Sequence, residues 1–268
     1  MKKTGTRSWR DSHWGVQAFS YFVILLIAIP VLALIARGVE NQDWQALDKA
    51  NLLAAIVVSL LTTLLSTLFI FLLGLPLAYF LAHNNFRLKN LLIVLIELPI
   101  VLPPTVAGLA LLIAAGRRGL LGGVLEAFGV SIPFTMAAVV IAQVFVAAPL
   151  FIRAAQVGFE EISQEIEDAA HIDGASGYAL FSQITFPLAF KSIAAGLTLS
   201  WARALGEFGA TLLFAGSLVG RTQTLPLFIF TALESDIDAA VMASIILLAI
   251  AFLALVLSKY ISRQEKFN

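Results

Sequence analysis

The sequence predicts an all-α polytopic membrane protein of about six transmembrane helices with one polar loop between two of them. Three observations carry that reading. Hydrophobic residues make up 60% of the 268 and charged residues only 13%, where soluble domains hold about 25% charged residues, and mean hydropathy is +0.93. The apolar residues come in runs long enough to cross a ~30 Å hydrocarbon layer as helices. Charge is concentrated in the segments between those runs, and residues 160–187 form a polar, acidic island among them.

In chain order, Lys2, Lys3, Arg7 and Arg10 precede an apolar run from about residue 14 to 36. A secretory signal has an apolar region of about 7–15 residues and a small-residue cleavage site; this run is longer and lacks a clean site, so it reads as a retained first span. After a hydrophilic stretch, residues 37–51, no formal charge occurs between Lys49 and Arg87. That length exceeds one crossing and predicts a single long, tilted helix with Gly74 and Pro76 near its end. A polar turn, residues 83–90, leads to a third span over about 91–115. It contains Glu97 and the prolines Pro99, Pro103 and Pro104 before Thr105. Prolines free backbone carbonyls that lipid cannot satisfy, so such a broken helix belongs inside a bundle or beside a water-filled path. A glycine-rich loop, 116–132, carries Arg117 and Arg118; the fourth span covers about 133–151 with a bend expected near Pro149. After the island, a fifth span over about 188–215 holds Arg203 and Glu207. A loop, 216–238, contains a short or re-entrant helix at 225–233, and a sixth span over about 239–258 ends in Lys259, Arg263 and Lys266. No repeat or low-complexity linker divides the chain, which reads as one domain, 1–268.

With the N-terminus inside, the inner segments hold eleven Lys and Arg residues and the outer ones five. Cytoplasmic loops are enriched in these residues, so both termini and the island are expected on the cytoplasmic side.

In the island, Glu160, Glu161, Glu165, Glu167 and Asp168 read as one helical run, with acids near its N-terminal end where the helix dipole favours them. Ala169 and Ala170 offer close approach. Asp173-Gly174 reads as a helix stop through a left-handed glycine. Ser176 reads as the cap of a second short helix carrying Tyr178, Phe181 and Ile184, and Pro187 as the restart into the next span.

The pattern Asp168-Ala169-Ala170, three residues, Gly174, nine residues, Ile184-Thr185-Phe186-Pro187 resembles the coupling loop of binding-protein-dependent ABC importer permeases. Asp168 replaces the usual Glu, and Phe186 the usual Leu. The resemblance implies that Glu167, Asp168, Ala169, Ala170, Gly174, Ile184 and Pro187 dock into a cleft of a cytoplasmic ATPase. Three further stretches, 97–108, 203–211 and 222–227, resemble the molybdate branch of the oxyanion importers. Sulfate and tungstate permeases share much of that vocabulary. The family implies two copies of the permease, two ATPase subunits that use ATP and Mg, and an external oxyanion-binding protein. The implied location is a cell inner membrane, with no cofactor on this chain.

Arg203 and Glu207 lie four residues apart, share a helix face and can pair. Ionisable groups at bilayer depth cost at least ~2.5–3.5 kcal/mol each on insertion scales. Two readings stand: a salt bridge that only neutralises both groups, or a pair that lines or gates the route with Glu97, Pro103, Pro104 and Thr105. An arginine beside a pathway suits an anion.

Other chemistries find less support. The net charge of zero gives no basic stripe for nucleic acid. There is no cysteine, and His13, His83 and His171 have no ligand spacing. The residues 216–222 have the look of a phosphate loop but lack its spacing and lysine. The small-residue pairs Gly119/Gly123 and Gly206/Ala210 fit helix packing. An enzyme is not expected; the rivals are a self-sufficient ion-coupled carrier using Glu97, Arg203 and Glu207, and, ranked below it, an intramembrane enzyme.

Overall fold

The structure, a computed structural model, describes residues 13–40 and 48–264. Of the basic residues used for orientation, Lys2, Lys3, Arg7, Arg10 and Lys266 lie outside the described residues, as do the side chains of Lys259 and Arg263. Among the described residues every regular element is helical. Five helices are long and apolar enough to cross a membrane, and a bent pair supplies a sixth crossing if it counts as one.

Helix α1 (His13–Glu40) stands at the edge and meets the rest near its end, where Gly38 packs on Ile245 and Val241 and Arg37 lies 3.7 Å from Asp238. Helix α2 (Lys49–His83) has 35 residues and runs through Gly74 and Pro76 without a break; at 1.5 Å per residue it is about 52 Å long. Its first turn is capped by Asp48, whose carboxylate accepts the Asn51 N–H at 3.2 Å. The predicted third span is two helices, α3 (Lys89–Val101) and α4 (Pro104–Ala115), bent by 116°. The sequence states the cause: Pro103 and Pro104 in succession remove two amide donors and force the preceding residues towards extended backbone, and Leu102 has ψ 133.

A short helix α5 (Gly122–Ala127) precedes α6 (Met136–Glu160), which begins at the capping hydroxyl of Thr135, continues through Pro149 and extends nine residues beyond the predicted end. Helix α7 (Gln164–Ile172) and a single turn α8 (Tyr178–Leu180) follow. A π-turn over Phe181–Thr185 then leads straight into α9 (Phe186–Leu205). Helix α10 (Gly209–Ala215), α11 (Leu225–Leu233) and α12 (Ile237–Gln264) complete the chain.

Side-chain contacts fix the relative directions. Thr62 and Ser66 of α2 bond Gln143 of α6, and further along both helices Tyr79 meets Phe159 edge to face, so α2 and α6 run parallel. A parallel pair requires one net return between them. The chain between them, residues 84–135, makes that return, and it includes the half-helices α3 and α4, about 20 Å and 18 Å long. Helix α9 runs antiparallel to α6: Ser200 donates to the Ala147 carbonyl at 2.9 Å, Gly196 faces Ala154 and Gly158 faces Ser192. Small residues at these crossings let backbones approach, which replaces the hydrophobic driving force that lipid removes.

The ends of α2 and α6, the start of α3, and α7 to the start of α9 therefore share one face of the molecule. Its core is formed by Leu81, Phe151, Phe159 and Ile193. At the opposite side, Ala138, Val139, Ala210 and Phe214 pack with Ala107, and Leu52, Leu225 and Met242 form a third cluster.

Candidate functional site

The polar island differs from its sequence reading in two respects. Its acids do not lie on one helix: Glu160 ends α6, Glu161 caps it, and Glu165, Glu167 and Asp168 belong to α7. The interruption at 161–163 separates the two helices. Nor is there a separate second helix that stops before Pro187. One helix, interrupted by a π-turn, runs from Tyr178 to Leu205, and its N-cap is Gly177 at φ 53 rather than Ser176. Pro187 explains the π-turn: it lacks an N–H, and its ring crowds the carbonyl of Gln183, so the ladder widens to i→i+5 bonding just before it. The Phe186 N–H accordingly bonds the Phe181 carbonyl. Thr185 is buried and its hydroxyl donates to the Phe181 carbonyl at 3.2 Å.

Gly174 has φ +91 with open space around its Cβ position, the left-handed stop that the sequence predicts. The Ala175 N–H closes onto the Ala170 carbonyl at 2.9 Å. Around α7 the motif residues divide by face. Ala170 is buried, and Glu167 turns inward to His83 of α2, Oε1 to Nε2 3.0 Å. Asp168 and Ala169 are exposed, beside Ile172 at 87% and Tyr178 at 83% relative exposure. Ile184 is half-buried and Pro187 exposed. The result is a small acidic and apolar surface at this corner, which includes the exposed Ile172 and Tyr178.

A second constellation lies where the two broken spans meet. The predicted fifth span is divided: α9 ends at Leu205 with Gly206 as its cap, and α10 resumes at Gly209. Glu207 sits in the gap at 1% exposure. One carboxylate oxygen accepts the Ala210 N–H at 2.8 Å, and the other pairs with Arg203 at 2.8 Å. The acid thus satisfies backbone that the break would orphan in lipid, and the arginine neutralises the acid. Pro104 of the other break packs on Gly209, where an added Cβ would lie 2.5 Å from the proline ring, and Gly108 packs on Ala210. Thr105 is exposed on the first turn of α4, as are Pro103 and Pro104. Glu97 is elsewhere: one turn before the break, it lies 3.6 Å from Arg153 of α6. Of the predicted pathway residues, the structure therefore brings Pro104 to the segment that holds Arg203 and Glu207, and gives Glu97 a different partner.

The description of one family, the binding-protein-dependent transport system inner membrane component, matches residues 71–266. The chain belongs to that family. It is accordingly a transport component and not an enzyme. Its curated relatives cover most of its length. It is 41% identical over 230 residues to the molybdenum transport system permease protein ModB of Mycobacterium bovis, covering 86% of this chain and 87% of the relative. It is 36% identical over 246 residues to the probable transport system permease protein NifC of Clostridium pasteurianum, covering 91% and 85%. A probable sulfate transport system permease protein cysT of Chlorokybus atmophyticus is 34% identical over 254 residues, covering 93% and 87%. Among solved structures, a chain of a bacterial ABC transporter that imports alginate superimposes with a TM-score of 0.75 at 17% identity, covering 96% of this chain and 98% of that one. That likeness is one of fold.

One feature of this permease escaped the sequence reading. Ser59, Thr62, Thr63 and Ser66 are buried along α2. Gln143, 1% exposed, accepts from Ser66 at 2.8 Å and donates to Thr62 at 3.2 Å, and Ser59 accepts the Leu225 N–H at 2.6 Å. This polar seam fixes α2 against α6 and α11. Its signal is the spacing of small hydroxyls at positions 59, 62, 63 and 66, one helix face in an otherwise apolar run.

Proposed function

We propose that this chain is the permease subunit of an ATP-driven importer that moves a tetrahedral oxyanion, molybdate first, into the cytoplasm. The observation that carries the substrate class is the 41% identity to a molybdenum permease over most of both chains. The sulfate permease relative at 34% favours a second reading, sulfate, in the same chemical class; tungstate, the same shape as molybdate, belongs to that class too. The partners in this reading are cytoplasmic ATPase subunits, an extracytoplasmic oxyanion-binding protein and a second copy of the permease. The whole chain, 1–268, acts as one permease domain, with its termini and residues 160–187 in the cytoplasm.

In mechanical terms, the chain carries no motor. The exposed face of α7, with Asp168, Ala169, Ile172 and the following Tyr178, is the surface an ATPase grips. Support comes from its rigid attachment: α8 and the π-turn run into α9, and α9 is packed along α6 through close glycine contacts. Movement of α7 is delivered to α9, and through the Gly206–Gly209 gap to the junction with Pro104. Arg203, half-buried beside that junction, provides positive charge where an oxyanion passes, and Glu207 holds it there. Glu97, Pro103 and Thr105 complete the route on the α3–α4 side.

The test is uptake of labelled molybdate into proteoliposomes holding the permease, its ATPase and its binding protein. Uptake should need ATP and all three components, and be competed by tungstate more strongly than by sulfate. Stronger competition by sulfate moves the assignment to the second reading. Uptake by the permease alone, driven by an ion gradient, overturns the importer.

A further inference from the structure

Two ion pairs lie on the seam between α3 and α6, and they differ in depth. Lys89 and Glu160, 3.8 Å apart, close the end where α3 begins and α6 stops. Glu97 and Arg153, 3.6 Å apart, stand about 10–12 Å further in, eight residues along α3 and seven back along α6. Both inner side chains are half-exposed, Arg153 at 49% and Glu97 at 38%. Charges that far along apolar helices face a water-filled path or other protein rather than lipid.

The surroundings of Arg153 favour the path. Helix α6 is the most enclosed of the spanning helices among the described residues, with α2, α3, α4, α9 and α10 packed on it. In its second half, Pro149, Ile152 and Gln156 border Ile93 and Ile96 of α3, while Ala154 and Gly158 meet Gly196 and Ser192 of α9. At about 100° per residue, Arg153, Val157 and Glu160 fall between those two faces, and all three are exposed. They form the floor of a cleft with α3 on one side and α9 on the other. Helix α2 packs on both α6 and α9 and closes the opposite side of that pair, so the uncovered stripe of α9 borders the same cleft. That stripe is Ala195, Leu199 and Arg203, at four-residue spacing, the first two exposed and the third half-buried. Because Gly196 lies opposite Ala154 and Ser200 opposite Ala147, Arg203 stands about 10 Å beyond Arg153 along the cleft, next to the junction of the two breaks.

The two arginines are held differently. Arg203 bonds Glu207 at 2.8 Å, and that acid is 1% exposed and accepts the Ala210 N–H as well, so the pair is fixed. Arg153 meets Glu97 through Nε alone, beyond the about 2.7–2.9 Å of a charge-assisted hydrogen bond. Among the described residues its guanidinium has no other ionic or hydrogen-bonding partner, which leaves the Nη atoms of the fork that recognises oxyanions unengaged. We propose that Arg153 is a second anion-binding residue of the route, on the cytoplasmic side of Arg203, and that Glu97 is the counter-charge an arriving oxyanion displaces from it. The proposal rests on the reading of this chain as an oxyanion importer. A tetrahedral oxyanion presents two oxygens to the guanidinium fork, a match that the single long contact to Glu97 does not make. Glu97 returns when the anion leaves, so the arginine keeps a counter-charge at that depth throughout.

The experiment is equilibrium binding of labelled molybdate and, in parallel, labelled sulfate to the permease with its ATPase in lipid nanodiscs, without binding protein or ATP. The ATPase is the same in every sample, so differences between variants belong to the permease. Glu97→Gln removes the competing carboxylate and should tighten binding of the transported ion about tenfold, the lower end of the range for a hydrogen bond to a charged group. Arg153→Gln should weaken it by about the same factor. Arg153→Lys, which keeps the charge without the fork, should fall between that variant and the wild type. Arg153→Gln combined with Glu97→Gln should bind as weakly as Arg153→Gln alone. An ion pair that only joins α3 to α6 predicts otherwise: both single variants lose thermal stability and binding together, and the double variant recovers, a pattern that overturns the proposal. Unchanged binding in Glu97→Gln, the result expected if a second copy covers this face, also overturns it, and that variant decides even where Arg153→Gln fails to fold. Uptake by the wild-type complex is measured alongside. Intact uptake with unchanged binding in Glu97→Gln rejects the second anion site and leaves the importer standing, whereas no uptake of either ion rejects the importer itself.

Discussion

Glu207 illustrates how a residue type can be legible while its task is not. An ionisable pair four residues apart in an apolar run announces a salt bridge, and Arg203 and Glu207 form one at 2.8 Å. What the spacing does not reveal is that the helix stops between them, so that Glu207 also caps α10 through the Ala210 N–H. Removing Arg203 leaves a buried carboxylate without its counter-charge. Arg203→Ala should therefore cost towards the low end of the roughly 3–5 kcal/mol typical of breaking a buried pair, because the arginine is itself 35% exposed. Thermal unfolding in detergent measures this, and the double variant Arg203→Ala, Glu207→Gln should recover more than half of the loss. Gln143→Leu strips two partners from the α2 seam; at the ~0.6–1.7 kcal/mol measured for membrane hydrogen bonds, it should destabilise by about 1–2 kcal/mol in the same assay.

Among the elements, α7 and its exit glycine are the part most directly written in the sequence. Gly174 adopts φ +91, a region costing an L-residue roughly 1–2 kcal/mol. Gly174→Val should leave the chain inserted and folded while transport per ATP hydrolysed falls severalfold, measured by parallel uptake and phosphate release. Normal coupling in that variant would remove α7 from the proposed mechanism. The junction of the two breaks makes a different demand. Gly209 has no room for a side chain against Pro104, so Gly209→Val should destabilise by about 1–3 kcal/mol through overpacking. It should also slow transport more than an equally destabilising change at the α1–α12 contact. The π-turn lies between these cases: the sequence places at Pro187 the restart of the chain into a new span, whereas the ladder widens by one residue just before it and the helix continues.

For the molecule as a whole, the parallel run of α2 and α6 is the organising fact. It obliges the chain between them to return once, and that chain includes the bent α3–α4 pair, whose proline break lies against the gap in α9–α10. Membrane burial makes that arrangement necessary, since irregular backbone survives at this depth only where protein or a water-filled path covers it. The same juxtaposition puts the half-buried Arg203 beside the place where the two broken spans meet, and one continuous element, Tyr178–Leu205, connects it to the corner at α7.

By itself the sequence determined the class of the protein, the approximate limits of its spans, the acidic corner with its left-handed glycine, and the pair Arg203–Glu207. These are local or compositional properties: hydropathy, helical spacing and the backbone limits of glycine and proline act over a few residues. The tertiary structure alone decided that the two helix breaks meet, that Glu97 pairs with Arg153, that a hydroxyl seam joins α2 to α6 and that Glu167 turns to His83. Each of these joins residues tens of positions apart, and such partners are chosen by which helix faces come together, a choice that no single stretch of chain contains.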